Sequence, residues 1–348
     1  MTSAPTFPRY DPSRTYAWNY ANAPEPIAIA EPLVPGDWNF CGRKVASPLG
    51  IAAGPLLNGK WCLYYAKLGF DVLTYKTVRS RQRDCYELPN LQPVTCGMLA
   101  EKPELVSAGN QMKGSWAVSF GMPSADPDAW RRDIEGTRKK LPADKILSVS
   151  VVGSVQDGWT NDDLANDYAL CAKWAVDSGA DCVETNFSCP NVSTCDGQLY
   201  HNAHQSGEIA QVVRAAIGNT PYIIKIGHLV QDQAIDSLLA AVGKIADALA
   251  MTNSIASPVI QADELMFGGQ PRGICGEAIR EESIRQVSRF AKVIAEQNLP
   301  IQLIGVGGIS TADHVRSYLA AGADACHLAT SAMINPQVGL EIRREMQG

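Results

Sequence analysis

Asn186-Phe187-Ser188-Cys189-Pro190-Asn191 sets a thiol between two amide side chains, directly after the strand-like run Asp181-Cys182-Val183-Glu184-Thr185. A cysteine so placed can accept a proton or act as a nucleophile, and flanking amides can hold a planar ligand through paired donors and acceptors. Pro190 fixes one φ angle just after the thiol and stiffens the turn that presents it. A cysteine after a strand is more often a small buried hydrophobe, so the residues around it must decide. Lys76 ends the apolar run Thr74-Tyr75-Lys76, and Lys225 ends Ile223-Ile224-Lys225. A lysine drawn into such a run needs an anionic partner, whereas a snorkelling surface lysine is the plainer alternative. Gly307-Gly308 and Ala329-Thr330-Ser331 offer backbone N–H groups and a hydroxyl at the starts of helices, which suits a phosphate. A Gly-Gly pair alone would also serve a tight turn.

These residues fall at the ends of short apolar runs that alternate with helix-patterned stretches. Strands are predicted at Pro48–Ala53, Asp71–Lys76, Ile146–Gly153, Asp181–Asn186, Tyr222–Ile226, Leu249–Asn253, Ile301–Gly305 and Asp324–Ala329. Helices are predicted at Asp128–Leu141, Asn161–Ser178, Glu208–Ile217, Asp232–Ile245, Glu281–Glu296 and Thr311–Ala321. Start signals are Asn161 before two aspartates and Ser310-Thr311; Gly179 and Gly322 mark stops. Continuous apolar strands alternating with helices imply parallel strands buried on both faces, and eight such units fit an α/β fold closed as a (β/α)₈ TIM barrel. An open doubly wound sheet would carry a dinucleotide fingerprint early in the chain; Gly305-Val306-Gly307-Gly308 lacks the spacing and comes late. Thr77–Lys145 is too long for a simple connection and is expected to line or cover the site. The chain is therefore read as an N-terminal extension, 1–45, and one barrel domain, 46–348.

A net charge of −6, with no basic run, argues against a nucleic-acid partner. Ten scattered cysteines without a C-x-x-C pair read as reduced thiols in a cytoplasmic protein. Met1–Tyr20 has no apolar core of a secretion signal, and no stretch of 18 apolar residues suggests a membrane span. Cys195 with His201 and His204 is too loose a set for a metal site, and no metal is expected. His228 could approach the site or serve as a surface or capping residue. His327 reads as a hydrogen-bonded core histidine, and Cys171, Cys182 and Cys326 as packing residues.

Taken together and in order, these elements resemble the dihydroorotate dehydrogenase family, in particular its soluble class 1 branch, and are similar to the pyrimidine-reducing domain of dihydropyrimidine dehydrogenase. The resemblance runs from about Ala46 to Pro336. It rests on Asn186–Asn191 with Gln198-Leu199-Tyr200, Ile51-Ala52-Ala53-Gly54, Lys76-Thr77, Lys225, Asn253-Ser254 and Gly305–Gly308. It implies FMN at the barrel mouth, held by Ala52, Ala53, Gly54, Lys76, Thr77, Asn186, Lys225, Thr252, Gly276, Gly307, Gly308, Thr330 and Ser331. A small-molecule substrate would lie on Lys76, Asn186, Asn191, Asn253 and Ser254, with Cys189 as catalytic base and hydride passing to FMN. The resemblance also implies a homodimer, and it leaves the electron acceptor open. Class 2 members use a serine base and an N-terminal membrane-binding helix, and this chain is read as having neither.

Two departures bear on the substrate. The family's Asn-Ser-Met-Gly-Leu-Pro-Asn loop aligns with Val118–Ser124, so Val118 falls where an asparagine binds the pyrimidine; Gly109-Asn110-Gln111 could supply an amide instead. Ala329 replaces a usual glycine in the phosphate turn. The expected reaction is oxidation of dihydroorotate to orotate. The alternatives are oxidation or reduction of another pyrimidine-like or conjugated heterocycle, and an inactive flavin-binding module.

Overall fold

The computed structural model describes residues 7–27, 33–99, 105–188 and 195–347. Eight parallel strands close into a barrel: β1 (Leu49–Ile51), β2 (Val72–Val78), β3 (Ile146–Val151), β4 (Cys182–Asn186), β5 (Tyr222–Lys225), β6 (Ala248–Met251), β7 (Gln302–Val306) and β8 (Ala325–Leu328), hydrogen-bonded in chain order with β8 returning to β1. All eight lie within or next to the strands expected from the sequence. Apolar residues on both faces explain their legibility. Outward residues pack under helices, while inward residues such as Val72, Ile146, Cys182, Ile223, Ala248 and Ile304 fill the barrel.

The outer helices are α1 (Gly59–Ala66), α2 (Pro127–Lys140), α3 (Asn161–Asp177), α4 (Ala203–Ile217), α5 (Asp232–Val242), α6 (Arg280–Gln297), α7 (Ala312–Ala320) and α8 (Val338–Gln347). The cap of α3 is Thr160, one residue before the expected start, because Thr160 and Asp163 form a reciprocal capping box. Helix α4 begins five residues before Glu208, since the Asn202 side chain accepts from Gln205 N and satisfies the first turn. Helices α1 and α8 and the short helices Tyr16–Ala21 and Thr330–Ile334 have no counterpart in the sequence reading.

The N-terminal ends of the strands carry a stabilising device. Asp181, Asp247 and Asp324 each accept from a backbone N–H in the first two residues of the preceding strand, at Leu147 (2.9 Å), Tyr222 (2.7 Å) and Leu303 (2.8 Å). Arg138 and Arg214 pair with the first two, and Lys145 with the fully buried Asp71. A hairpin, Trp38–Phe40 with Arg43–Val45, sends Phe40 and Val45 into the barrel interior cluster. The part of the extension nearest the barrel is thus packed into it.

The long β2–β3 connection builds more than the expected helix. Its strands Leu91–Thr95, Val106–Ala108 and Ser115–Val118 join Ile255–Ser257, Val259–Gln261, Glu264–Leu265 and Arg272–Gly276, from the β6–α6 connection, in one seven-stranded sheet. Ser115–Val118 is its hinge piece, antiparallel to both Leu91–Pro93 and Gly273–Gly276. This sheet walls the mouth of the barrel at the C-terminal strand ends, where barrel enzymes carry their sites.

Candidate active site

Two clefts meet at that mouth. One, of ≈ 310 Å³, lies over the ends of β7 and β8 and is lined by Gly276, Gly307, Gly308, Ser310, Thr330 and Ser331. The other, ≈ 110 Å³, runs over β1, β2, β4 and β5 and is lined by Ala52, Gly54, Lys76, Thr77, Asn186 and Lys225. Asn253, Cys275, Val306, Ala329 and Thr330 line both, so the two form one continuous groove.

Backbone shape sets the first end. Gly307 (φ +133°) and Gly308 (φ +64°) occupy conformations that side-chain-bearing residues rarely adopt. A Cβ would fall 2.4 Å from Ser283 Oγ at Gly307 and 2.8 Å from the Gly276 carbonyl at Gly308. The Ser331 hydroxyl is already committed to the Ile309 carbonyl. Arg280 closes this end, with its guanidinium 3.4 Å from the Gly308 carbonyl.

The second end is polar on one side and apolar on the other. A register irregularity in β2 between Tyr75 and Val78 lets the consecutive Lys76 and Thr77 both face the cleft. Thr77 Oγ1 lies 3.0 Å from Ser150 Oγ, and the Lys76 ammonium sits 5.5 Å from the centre of the Phe120 ring. Lys76 and Lys225 are both buried, at 6% and 3% exposure, which removes the snorkelling alternative. Asn186 accepts from Ser188 N (3.0 Å), and its amide nitrogen is 3.6 Å from Met122 Sδ. Asn253 donates to the Ser188 carbonyl, tying β6 to the backbone that leads into Cys189. Opposite lie Leu91, Trp116, Val118, Phe120 and Met122 from the long insertion, and Met333.

Of the expected site residues, the structure gathers Ala52, Ala53, Gly54, Lys76, Thr77, Asn186, Lys225, Asn253, Ser254, Gly276, Gly307, Gly308, Thr330 and Ser331 around this groove. Thr252 stands apart from it: fully buried behind Asn253, it donates its backbone N–H to Val306 O at 2.7 Å. Cys189 and Asn191 lie outside the described residues. Gly109, Asn110 and Gln111 line a different cleft with Val94–Met98, so no amide from that stretch stands beside Val118. His327 is buried but not hydrogen-bonded at either nitrogen; it stacks on Phe40 at 5.7 Å and, desolvated and near Lys225, has its pKa pushed down to about 3. His228 places Nε2 3.4 Å from Glu282, beneath the loop after β5.

Sequence reasoning missed the apolar wall and Cys275. The wall is spread over strands of three to five residues, too short for a pattern. Cys275 could have been read from Gly273-Ile274-Cys275-Gly276, whose glycines alone drew attention. Burial pushes its thiol up to about 11, against hydrogen bonds with Thr330 and Trp116 and the charge of Lys225, so it is a neutral thiol near pH 7.

A closed (β/α)₈ barrel with a cationic, glycine-edged groove at its C-terminal mouth is the architecture of a barrel enzyme. The family model described as dihydroorotate dehydrogenase matches residues 37–348, and the chain belongs to that family, an oxidoreductase family. It is 30% identical over 321 residues to the dihydroorotate dehydrogenase of Dictyostelium discoideum, covering 87% of this chain and 86% of the relative. It is 24% identical to the catalytic subunit of dihydroorotate dehydrogenase B (NAD(+)) of Maridesulfovibrio salexigens, covering 88% and 91%, which is consistent with class 1. Among solved structures, that of DHODH in complex with ferulenol from Eimeria tenella superposes with a TM-score of 0.74 over 95% of this chain and 88% of that one; at 18% identity it supports the fold. Among the described residues, no helix is long and apolar enough to cross a membrane.

Proposed function

We propose that residues 46–348 form one FMN-binding unit that oxidises the CH–CH bond of a dihydropyrimidine, dihydroorotate in the first instance, with Cys189 as the base. The observation that carries this reading is the continuous groove joining a glycine cradle to two buried lysines. The cradle suits a phosphate: Gly307 and Gly308, at positive φ and packed too closely against Ser283, Arg280 and Gly276 for any side chain, leave a bare backbone turn on the groove. The lysine end fits an electron-accepting ring, because cations fixed in a dry cleft stabilise negative charge where it develops. FMN bound there would supply the hydride acceptor.

The chain's own residues do the rest. Gly307, Gly308 and Thr330 would hold the phosphate, and Lys225 would neutralise charge on the ring. Asn186, Asn253 and Ser254, with Asn191, would present amides and a hydroxyl to the polar edge of the substrate. Cys189 would take the substrate proton. The seven-stranded sheet and the loop that follows Val118 would exclude water through Trp116, Phe120 and Met122. The fully buried Thr252 would hold the floor behind Asn253.

Val118 favours a second reading of the substrate. It lines the cleft where the family places an asparagine, and the nearby wall is apolar. An unpaired buried polar group on the ligand costs about 1–3 kcal/mol, so a dihydropyrimidine or related heterocycle with an apolar edge at that point is the alternative to dihydroorotate. The relatives named as catalytic subunits support a partner protein as electron acceptor. The first test is the cofactor itself: purified protein should be yellow and release FMN, not FAD, on denaturation. Colourless protein that FMN cannot reconstitute would sink the reading.

A further inference from the structure

Within the eight barrel strands the only aspartate, glutamate, lysine or arginine side chains are Lys76, Glu184 and Lys225. The two lysines line the groove; Glu184 lies a layer below. Strand alternation fixes its direction. Asn186 on β4 and Lys225 on β5 are register partners that face the cleft, so Glu184, two residues earlier and opposite Ile223 and Ser150, points into the same barrel interior. It is 1% exposed, and its Oε1 has no hydrogen-bond partner. Its register partners are Ser150 and Ile223, and, the two lysines aside, the other buried residues of the barrel strands are uncharged, His327 being kept neutral by burial. Burial raises the carboxyl pKa, and the Lys225 ammonium and Ser150 act against that rise. An ionised carboxylate in such a place is tolerated only against a cation, and the Lys225 ammonium, on the adjacent strand two residues nearer the mouth than Glu184's partner Ile223, is the cation whose charge acts on it.

We propose that Glu184 is a positioning residue for the redox site: the buried counter-charge of Lys225, which sets how strongly that ammonium acts on the ring bound above it. With one carboxylate against two lysines, the barrel strands carry one net positive charge, matched to a ligand ring that gains a single negative charge. The inference rests on the FMN reading for its consequence but not for the pairing itself.

The test uses the holoenzyme and its Glu184→Gln and Glu184→Asp variants. Glu184→Gln keeps the shape and removes the charge, so Lys225 acts on the ring unopposed. The equilibrium between oxidised and reduced flavin should move about tenfold toward the reduced form, about 30 mV upward for a two-electron couple, while Glu184→Asp stays near wild type. An unchanged or lowered potential in Glu184→Gln overturns the proposal. A second measurement needs no flavin. Denaturant unfolding of Glu184→Gln, Lys225→Met and the double variant should be non-additive, the double losing less than the sum of the singles. Additive losses overturn the pairing. Protein devoid of FMN would refute the proposed function, and the unfolding cycle would still decide the role of Glu184.

Discussion

Cys189→Ala is expected to slow reduction of the bound flavin by substrate about 10²–10⁴-fold, the range associated with a lost general acid or base, while leaving FMN bound. The expectation rests on the place of Cys189 in sequence, three residues beyond Asn186 at the end of β4, and on the neighbours the structure does show. Asn253 grips the Ser188 carbonyl and Asn186 accepts from Ser188 N, so the backbone leading to the thiol is fixed from two strands. Cys189→Ser should be impaired near neutral pH and recover partly as pH rises, because a hydroxyl without a helper is a far weaker base than a thiol. Two other cysteines serve as controls. Cys195, six residues on, should tolerate alanine; Cys275, which does line the groove, is protonated near neutrality and should not substitute as base. Full activity in Cys189→Ala with loss in Cys195→Ala, followed by stopped-flow reduction, would show that the motif has been misaligned.

Lys225→Ala should have the second large effect. Lys225 is 3% exposed, lines the groove and carries the charge that acts on the buried Glu184 carboxyl. Its removal takes the counter-charge from the reduced ring and leaves a buried carboxylate uncompensated. Breaking a buried charge pair in this way costs on the order of 3–5 kcal/mol, or roughly a hundred- to several-thousand-fold in affinity for the reduced cofactor. Isothermal titration of FMN with the apo-protein, paired with a redox titration of whatever flavin remains bound, separates the two consequences. Unchanged affinity and unchanged potential would place Lys225 away from the ring.

The sequence revealed the barrel and one side of the groove for the same physical reason. Strands buried on both faces are written as unbroken apolar runs, so Lys76, Asn186, Lys225 and Asn253 stand out at their ends. Gly307 and Gly308 were visible because the turn after β7 needs positive φ. The opposite wall was hidden. Ser115–Val118 pairs with Arg272–Gly276, some 150 residues away, and Leu91–Thr95 carries a proline and a mixed burial pattern. Nothing local marks such pieces as strands, and Trp116, Phe120 and Met122 read as ordinary apolar residues until the sheet brings them to the barrel mouth. Glu184 carries no local signal, because its place in the barrel interior follows from the register of β4 against β5. His327 was expected to be hydrogen-bonded; stacking on Phe40 replaces that hydrogen bond, and the hairpin carrying Phe40 gave no sequence signal of entering the barrel.

The most direct test of the account is an anaerobic titration of the purified yellow protein with dihydroorotate, dihydrouracil and dihydrothymine, following the bleaching of the flavin band. The account expects one of them, dihydroorotate first, to bleach the band stoichiometrically within the mixing time of a cuvette. Bleaching by a dihydropyrimidine without the carboxylate, and not by dihydroorotate, would select the reading that Val118 favours. A flavin that stays oxidised with every dihydropyrimidine, yet is reduced by dithionite, would contradict the central claim.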